Sequence, residues 1–218
     1  MLALALEAVM KNTLTFADVQ RVKHLARQLK ATNPELPHTK RLDLAAAELC
    51  GARNFHELNR WFDVVINQHV DTPEGSHSVS HCLYCDYRFA ADLKSDQKLH
   101  RDFHERVMEA EEKLKYRPGT FVERELMKKD GYDEVSHGKD VADRVDGLLK
   151  VTRGWFDRSL HRAIDSGYWK KHPSFEEYVA MMVPELEILH SSLTPILVDR
   201  YGRTPGVIQE GEVCWSPR

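Results

Sequence analysis

The sequence predicts a mainly α-helical protein, and two observations support this fold class. Apolar side chains recur at intervals of three and four residues, most clearly at residues 16–29, and this spacing is typical of one buried helical face. Residues that favour helix ends stand beside such segments: Thr15, with Asp18 three residues later, precedes the first helix, and Gly51 follows the second. Most of the chain is therefore expected to pack as amphipathic helices.

Three helices are predicted in the N-terminal part of the chain, within residues 1–70. The second spans about residues 39–50 and the third about residues 55–68, with Asn54 as the expected N-cap of the third. The apolar stretch at residues 1–10 is predicted to be a helix and not an export signal, because it lacks a basic start and contains an acidic residue.

The C-terminal part is also expected to be helical. Residues 128–140, a polar stretch with two glycines, are predicted to be loosely structured. Long helices are expected at residues 141–166 and 173–193, the second kinked or split at Pro184. Residues 201–218 contain several glycines and prolines and are predicted to form an irregular tail.

Aromatic and basic side chains interleave at residues 151–178. Their helical spacing favours an interpretation in which the aromatic rings form core and the basic side chains form its solvated flank. The alternative is a surface for single-stranded nucleic acid, to which such interleaving is also suited.

The composition is that of an ordinary globular protein. The chain has 218 residues, of which 42% are hydrophobic, and its net charge is −3. This length predicts one or two domains. No apolar run approaches the roughly 20 residues that cross a bilayer, so a cytoplasmic protein is expected. Because basic residues are not in excess overall, nucleic-acid binding would require a local basic patch.

Two cysteines and two histidines follow metal-ligand spacing: Cys82-x2-Cys85-x14-His100-x3-His104. A C-x-x-C turn offers two thiolates, and histidines one helical turn apart present their rings on the same face. Zinc prefers four tetrahedral ligands of these types. The pattern therefore predicts one Zn²⁺ ion, and a structural one, because four protein ligands leave no open position for water or substrate.

Two further histidines lie close to this pattern in the sequence, and two further cysteines lie far from it. His77 and His81 are alternative metal ligands because they lie close to the first cysteine. Cys50 and Cys214 are isolated, and Cys50 is expected in the core. In a reducing compartment this distribution favours metal binding over disulfides.

Residues 82–104 resemble a C2H2-type zinc finger. Phe89 stands where such fingers place a core aromatic ring, and Tyr84 and Tyr87 suit the hairpin before it. The inner spacing of 14 residues exceeds the usual spacing, which is about 12 residues. In this respect residues 96–104 look like the finger of the cohesin acetyltransferases. The resemblance implies one ββα-like finger with an extended helix, and nothing else in the chain suggests the acetyltransferase domain.

These features divide the chain into five segments. They are an N-terminal helical unit at residues 1–70, a linker at 71–80, the zinc finger with its extended helix at 81–116, a C-terminal helical region at 117–200 and the tail at 201–218.

A basic face in the N-terminal unit is a candidate nucleic-acid surface. Lys23, Arg27 and Lys30 share one face of the first helix, and Arg53 lies at the start of the third. Phosphate contact by these four residues is one interpretation, and an ordinary solvated helix surface is the other.

The turn between the second and third helices of the same unit resembles segments in two classes of protein. Ala47 precedes the turn residue Gly51 by four residues, as in helix-turn-helix DNA readers. The stretch is also similar to a small helical module at the N-terminus of some bacterial glyoxalase-superfamily and plasmid-borne proteins.

The finger itself is not predicted to read bases. In the register of DNA-reading fingers, the contacting positions would be Leu93, Ser95, Asp96 and Leu99. Two leucines and an acidic residue are poor partners for base edges.

An apolar stripe follows the extended helix and is expected to lie off the histidine face. A stripe of this kind predicts packing on another helix, either in this chain or in a protein partner or second copy. Its members are Leu99, Phe103, Val107, Ala110 and Leu114.

No catalytic motif accompanies these features: a phosphate loop, a dinucleotide-binding glycine motif and a nucleophile elbow are all missing from the sequence. The leading interpretation is a non-enzymatic zinc-binding protein that binds nucleic acid or acts in regulation. The alternatives are a protein-interaction adaptor or oligomerising module, and an enzyme whose site is assembled from residues distant in the sequence.

Overall fold

The computed structural model describes residues 14–73 and 79–217. Within these ranges it contains eight α-helices, one 3₁₀ helix and three short strands, which confirms the mainly helical prediction. The predicted helix at residues 1–10 and the alternative ligand His77 lie outside the described residues. The chain forms two compact units, unit 1 at residues 1–112 and unit 2 at residues 113–218.

The described part of unit 1 begins with three helices, and local sequence explains where each one starts or stops. Thr15 and Asp18 form a capping box at the start of the first helix, Gly51 ends the second in the left-handed conformation, and Asn54 caps the third. These helices are α1 (Phe16–Thr32), α2 (His38–Cys50) and α3 (Phe55–Asn67).

A three-stranded antiparallel sheet follows, with strand order β1-β2-β3. Its strands are β1 (Val70–Asp71), β2 (Val79–Cys82) and β3 (Arg88–Ala90). Val70 pairs with Cys82, and Ser80 pairs with Phe89. The helix α4 (Lys94–Leu114) comes next, so the order β2, β3, α4 matches the predicted ββα arrangement.

The structure differs from the predicted linker at residues 71–80. Both ends of that segment are strand residues, and the hydroxyls of Thr72 and Ser80 lie 3.0 Å apart. A strand of two residues carries no alternation of side chains, and so it leaves no readable pattern in the sequence.

Helix α4 packs against the three-helix bundle of unit 1. The Arg101 guanidinium pairs with the Asp63 carboxylate and donates a 3.0 Å hydrogen bond to the side-chain oxygen of Asn59. Met108 packs against the apolar core of the bundle. The N-terminal helices and the finger-like segment therefore form one unit.

All five elements of the described part of unit 2 are helical, and one prediction for this unit was wrong. Residues 128–140 are not loosely structured, because α5 covers most of them. The elements of unit 2 are α5 (Phe121–His137), α6 (Val141–Asp165), a 3₁₀ helix (Trp169–Lys171), α7 (Phe175–His190) and α8 (Thr194–Tyr201).

Close packing of two helices explains why Gly131 lies inside a helix, although loose structure was predicted at this position. Gly131 is buried where α5 meets α6, and a Cβ atom on it would lie 2.6 Å from the Gly147 carbonyl oxygen and 2.9 Å from Val151 Cγ2. The glycine therefore lets two helix backbones approach each other and does not mark a loop.

The last helices and the tail also differ in detail from the prediction. Helix α7 continues through Pro184, and the interruption before α8 falls at residues 191–193. From residue 202 to residue 217 no helix or strand is present, as predicted, but the tail is held in place: the Trp215 amide donates a 2.9 Å hydrogen bond to the Ser159 hydroxyl. None of the described helices is both long and apolar enough to cross a membrane.

Candidate metal centre

The structure brings together the four residues that the spacing singled out. Cys82 ends β2, Cys85 lies in the turn before β3, and His100 and His104 lie one turn apart on α4. One potential ligand atom from each side chain lies within 4.8 Å of the others, and all four residues are buried. The cluster can hold a metal ion.

The turn between the two cysteines has a hydrogen-bonded backbone. The Asp86 amide donates to the Cys82 carbonyl at 2.9 Å, and the Cys82 amide donates to the Tyr87 carbonyl at 2.9 Å. Asp86 adopts a left-handed φ of 63°, which is a conformation that aspartate tolerates better than most residues. Its carboxylate pairs with the His81 ring at 2.9 Å. His81 is thus directed to Asp86 and is not a member of the cluster.

The histidine rings of the cluster carry buried nitrogens that lack hydrogen bonds. In the described part of the chain, Nε2 of His100 and Nε2 of His104 have no partner, whereas Nδ1 of His104 lies 3.3 Å from the Cys82 sulfur. A buried polar atom without a partner costs about 1–3 kcal/mol. A cation at the cluster would offset this cost, so these residues fit a metal ion.

The two thiols are strongly coupled. Hydrogen bonds from Cys85 and from the two histidine rings lower the pKa of Cys82, and they outweigh its burial. The hydrogen bond to Cys82, together with burial, raises the pKa of Cys85. Divalent metals bind thiolates, so metal binding would release protons from the cysteine side chains.

Aromatic rings enclose the cluster on two sides. Phe89 stacks on His100 with ring centroids 4.3 Å apart, and Tyr84 stacks on His104 at 4.6 Å. The hydroxyl of Tyr84 donates to the Glu111 carboxylate. His69, which the sequence interpretation missed, stacks on His104 at 5.8 Å. It belongs to the segment between α3 and β1, outside the finger-like pattern, so no local spacing indicated it.

Two of the four predicted nucleic-acid residues have acidic partners. The Lys23 ammonium lies 3.9 Å from a Glu105 carboxylate oxygen, and the Arg53 guanidinium forms a 2.7 Å ion pair with Glu57. Arg27 and Lys30 are exposed. The charge of the predicted basic face is therefore partly compensated within unit 1.

The predicted interface stripe is divided between core and surface. Phe103 and Val107 are 2% and 1% exposed, so they pack inside the chain, while Leu99 and Leu114 are 54% and 42% exposed. The buried face of α4 contains His100 and His104 together with Phe103 and Val107. The expectation that the stripe lies off the histidine face was wrong, because residues at intervals of three and four share one side of a helix.

A groove of about 630 Å³ lies beside the metal cluster in unit 1. Phe89 and His100 form part of its wall, and the long polar side chains that α4 contributes include those of Lys94, Gln97 and Lys98. All three are exposed. The sequence interpretation missed them, because it placed the finger's contacting positions at residues 93, 95, 96 and 99.

Unit 2 contains a buried polar cluster that no motif indicated. Asp157 accepts hydrogen bonds from the Tyr116 hydroxyl at 2.5 Å and from the Gly119 amide at 2.9 Å. Burial raises the pKa of Asp157, against the lowering effect of these bonds. The Ser159 hydroxyl lies 2.8 Å from Nε2 of His172. Burial lowers the pKa of His172 to about 4, so the imidazole is neutral at pH 7.

Comparison with known proteins does not add a family assignment. No family model, no curated protein and no solved structure matches the chain. The metal cluster and the fold therefore stand on their own geometry.

Proposed function

We propose that this chain is a non-enzymatic zinc-binding protein whose N-terminal unit binds nucleic acid through the groove beside the zinc site. The cluster of four buried ligands is the observation that carries the proposal. The groove beside the cluster exposes two lysines of α4 that form no ion pair with any other described residue.

The donor set favours zinc among the common metals. Cys82 and Cys85 offer soft sulfur ligands, and His100 and His104 offer ring nitrogens, a combination typical of tetrahedral structural zinc. Because these four donors complete the coordination, the ion has a structural role and takes no substrate. Burial of all four residues supports the same role.

The groove supports a nucleic-acid partner. Lys94 and Lys98 lie one turn apart on α4, and neither has a carboxylate within ion-pair distance among the residues that the structure describes. Lysine ammonium groups are common phosphate ligands. Gln97, which lines the same groove, donates its side-chain amide to the Ala91 carbonyl at 2.6 Å. Arg101 lines the same groove but is directed to Asp63 and Glu105. The proposal therefore relies on the two lysines.

A protein-interaction adaptor is the second candidate. Exposed leucines at Leu93 and Leu99 flank the lysines of the groove on α4. They would give a protein partner apolar contacts, but Phe103 and Val107 are buried and contribute nothing to such a surface. The nucleic-acid proposal is preferred because the groove itself carries the two lysines.

Fluorescence anisotropy with labelled single-stranded and duplex DNA tests the proposal. We expect binding at about 50 mM salt that weakens with salt, with a logarithmic slope of roughly −1 to −2 for two phosphate contacts. The double variant Lys94→Gln/Lys98→Gln should bind about tenfold more weakly. This follows from the loss of two charge-assisted contacts.

The matched control is Arg27→Gln/Lys30→Gln, which removes the same charge from the predicted basic face. Unchanged binding by this variant supports the groove. Weakened binding by the control, with the groove variant unaffected, would place the contacts on α1 instead. If the zinc-loaded protein binds neither DNA at low salt, the nucleic-acid proposal is wrong and the adaptor becomes the leading candidate.

A further inference from the structure

Unit 2 contains a cavity of about 470 Å³ that is separate from the metal centre and its groove. This volume lies within the range of small-molecule sites, which is roughly 300–1,000 Å³. The cavity has mainly aromatic walls and one basic side chain. Its principal lining residues are Tyr116, Arg153, Phe156, Trp169, His172 and Phe175.

Arg153 lies among aromatic rings, and its nearest buried carboxylate is that of Asp157, whose pKa the guanidinium lowers without forming an ion pair with it. Its guanidinium carbon lies 3.2 Å from the ring centroid of Phe175 and 5.4 Å from those of Tyr116 and Phe156. Across residues 14–73 and 79–217, no carboxylate lies within 4.0 Å of its nitrogens. Asp157, one turn further along α6, accepts instead from Tyr116 and Gly119. A planar guanidinium in this setting is suited to a bidentate anion.

The other polar lining residues leave Arg153 as the positive group of the cavity. Nε2 of His172 accepts from the Ser159 hydroxyl at 2.8 Å, and its Nδ1 donates to the Pro173 carbonyl at 3.0 Å. Both ring nitrogens are thus used within the chain, and neither is available to act as a base on a ligand. Glu176 lines the cavity and is exposed, so it places a negative charge near the mouth.

We propose that this cavity binds a small organic monocarboxylate with an aromatic or apolar body. The carboxylate pairs with the Arg153 guanidinium, and the body packs against Phe156, Trp169 and Phe175. A single guanidinium and the negative charge of Glu176 select a monoanion over a dianion such as phosphate. This site goes beyond the proposed zinc and nucleic-acid function and does not depend on it.

A titration with phenylacetate tests the proposal, with the amide cross-peaks and the Trp169 indole signal in two-dimensional NMR as readouts. We expect saturable shifts confined to the cavity. Phenylacetamide, which has the same ring without the charge, should bind at least about tenfold more weakly, and inorganic phosphate should not compete. Equal binding of phenylacetamide, or no saturation with phenylacetate up to about 10 mM, would overturn the proposal.

Two variants locate the carboxylate. Arg153→Gln should weaken phenylacetate binding at least about tenfold, because it removes the guanidinium group that pairs with the carboxylate. Arg158→Gln is the matched control, since Arg158 is exposed on the same helix and does not line the cavity. Unchanged affinity of a folded Arg153→Gln protein would contradict the assignment. If that variant fails to fold, the comparison of phenylacetate with phenylacetamide on the unaltered protein decides the question.

Discussion

Replacement of Cys82 by serine is expected to remove the metal ion and to unfold the segment of unit 1 that surrounds it. The segment has only short strands and packs many of its buried side chains around the cluster, so a metal ion bound there would supply much of its stability. Structural zinc contributes on the order of 10 kcal/mol in isolated finger peptides. Because α4 also packs on α1–α3, we expect a smaller loss here, roughly 4 kcal/mol or more in the free energy of unfolding of unit 1.

Metal analysis and hydrogen exchange measured by mass spectrometry check this prediction. The Cys82→Ser protein should hold much less than one equivalent of metal, and peptides from residues 79–110 should lose protection. Cys214→Ser is the control, because Cys214 is a partly exposed cysteine of the tail outside the cluster. A Cys82→Ser protein that keeps a full equivalent of metal and native protection would contradict the centre described here.

Replacement of Gly131 by alanine is expected to destabilise unit 2. An added Cβ would lie 2.6 Å from the backbone oxygen of Gly147, a distance that real Cβ atoms do not reach, so the helices α5 and α6 would have to move apart. We expect a loss of about 2–4 kcal/mol in the free energy of unfolding of unit 2. A decrease in stability would distinguish close helix packing from an ordinary helix position. Replacement of glycine by alanine inside an exposed helix usually increases stability by about 1 kcal/mol.

Urea denaturation followed by tryptophan fluorescence measures this effect, since Trp155, Trp169 and Trp215 all lie in unit 2. Lys129→Ala is the matched control, because Lys129 is an exposed residue of the same helix. The control should be close to neutral, and the metal content of the Gly131→Ala protein should stay at one equivalent. A stabilised Gly131→Ala protein would show that the two backbones are not in close contact.

Much of the fold could be predicted because its signals are local. Thr15 and Asn54 cap helices as expected, and Gly51 ends one. Each of these positions is determined by hydrogen bonds or dihedral angles within a few residues. The metal ligands could be predicted for a similar reason: a tight turn and one helix face bring the two pairs of donors into position.

The features that could not be predicted from the sequence depend on contacts between distant segments. The sequence alone suggests a loop at Gly131. Only the backbone of α6, which lies beside this residue, explains a glycine inside a helix. His69 joins the rings around the metal cluster only because β1 pairs with β2. Tyr116 and Asp157 meet across 41 positions of the sequence, and no spacing rule links them. Sequence patterns indicate local geometry, whereas contacts between residues distant in the sequence are determined by tertiary packing.

Tertiary packing also determines how much of the predicted basic surface has an acidic partner. Lys23 and Arg53 looked like part of a free basic face, but Glu105 and Glu57 lie beside them in the fold. Glu57 is a neighbour in sequence and could have been anticipated, whereas Glu105 lies on α4 and could not. The lysines of the groove became apparent only when the position of α4 relative to the sheet was known.

The coordination of any metal that the purified protein holds tests directly whether the four residues form a closed zinc site. X-ray absorption at the zinc edge should be recorded on the purified protein, together with its metal content. We predict one zinc per chain with two sulfur ligands at about 2.3 Å and two nitrogen ligands at about 2.0–2.1 Å. An absent metal, or a shell that contains oxygen from water in place of a cysteine or histidine, would contradict a closed structural site at Cys82, Cys85, His100 and His104.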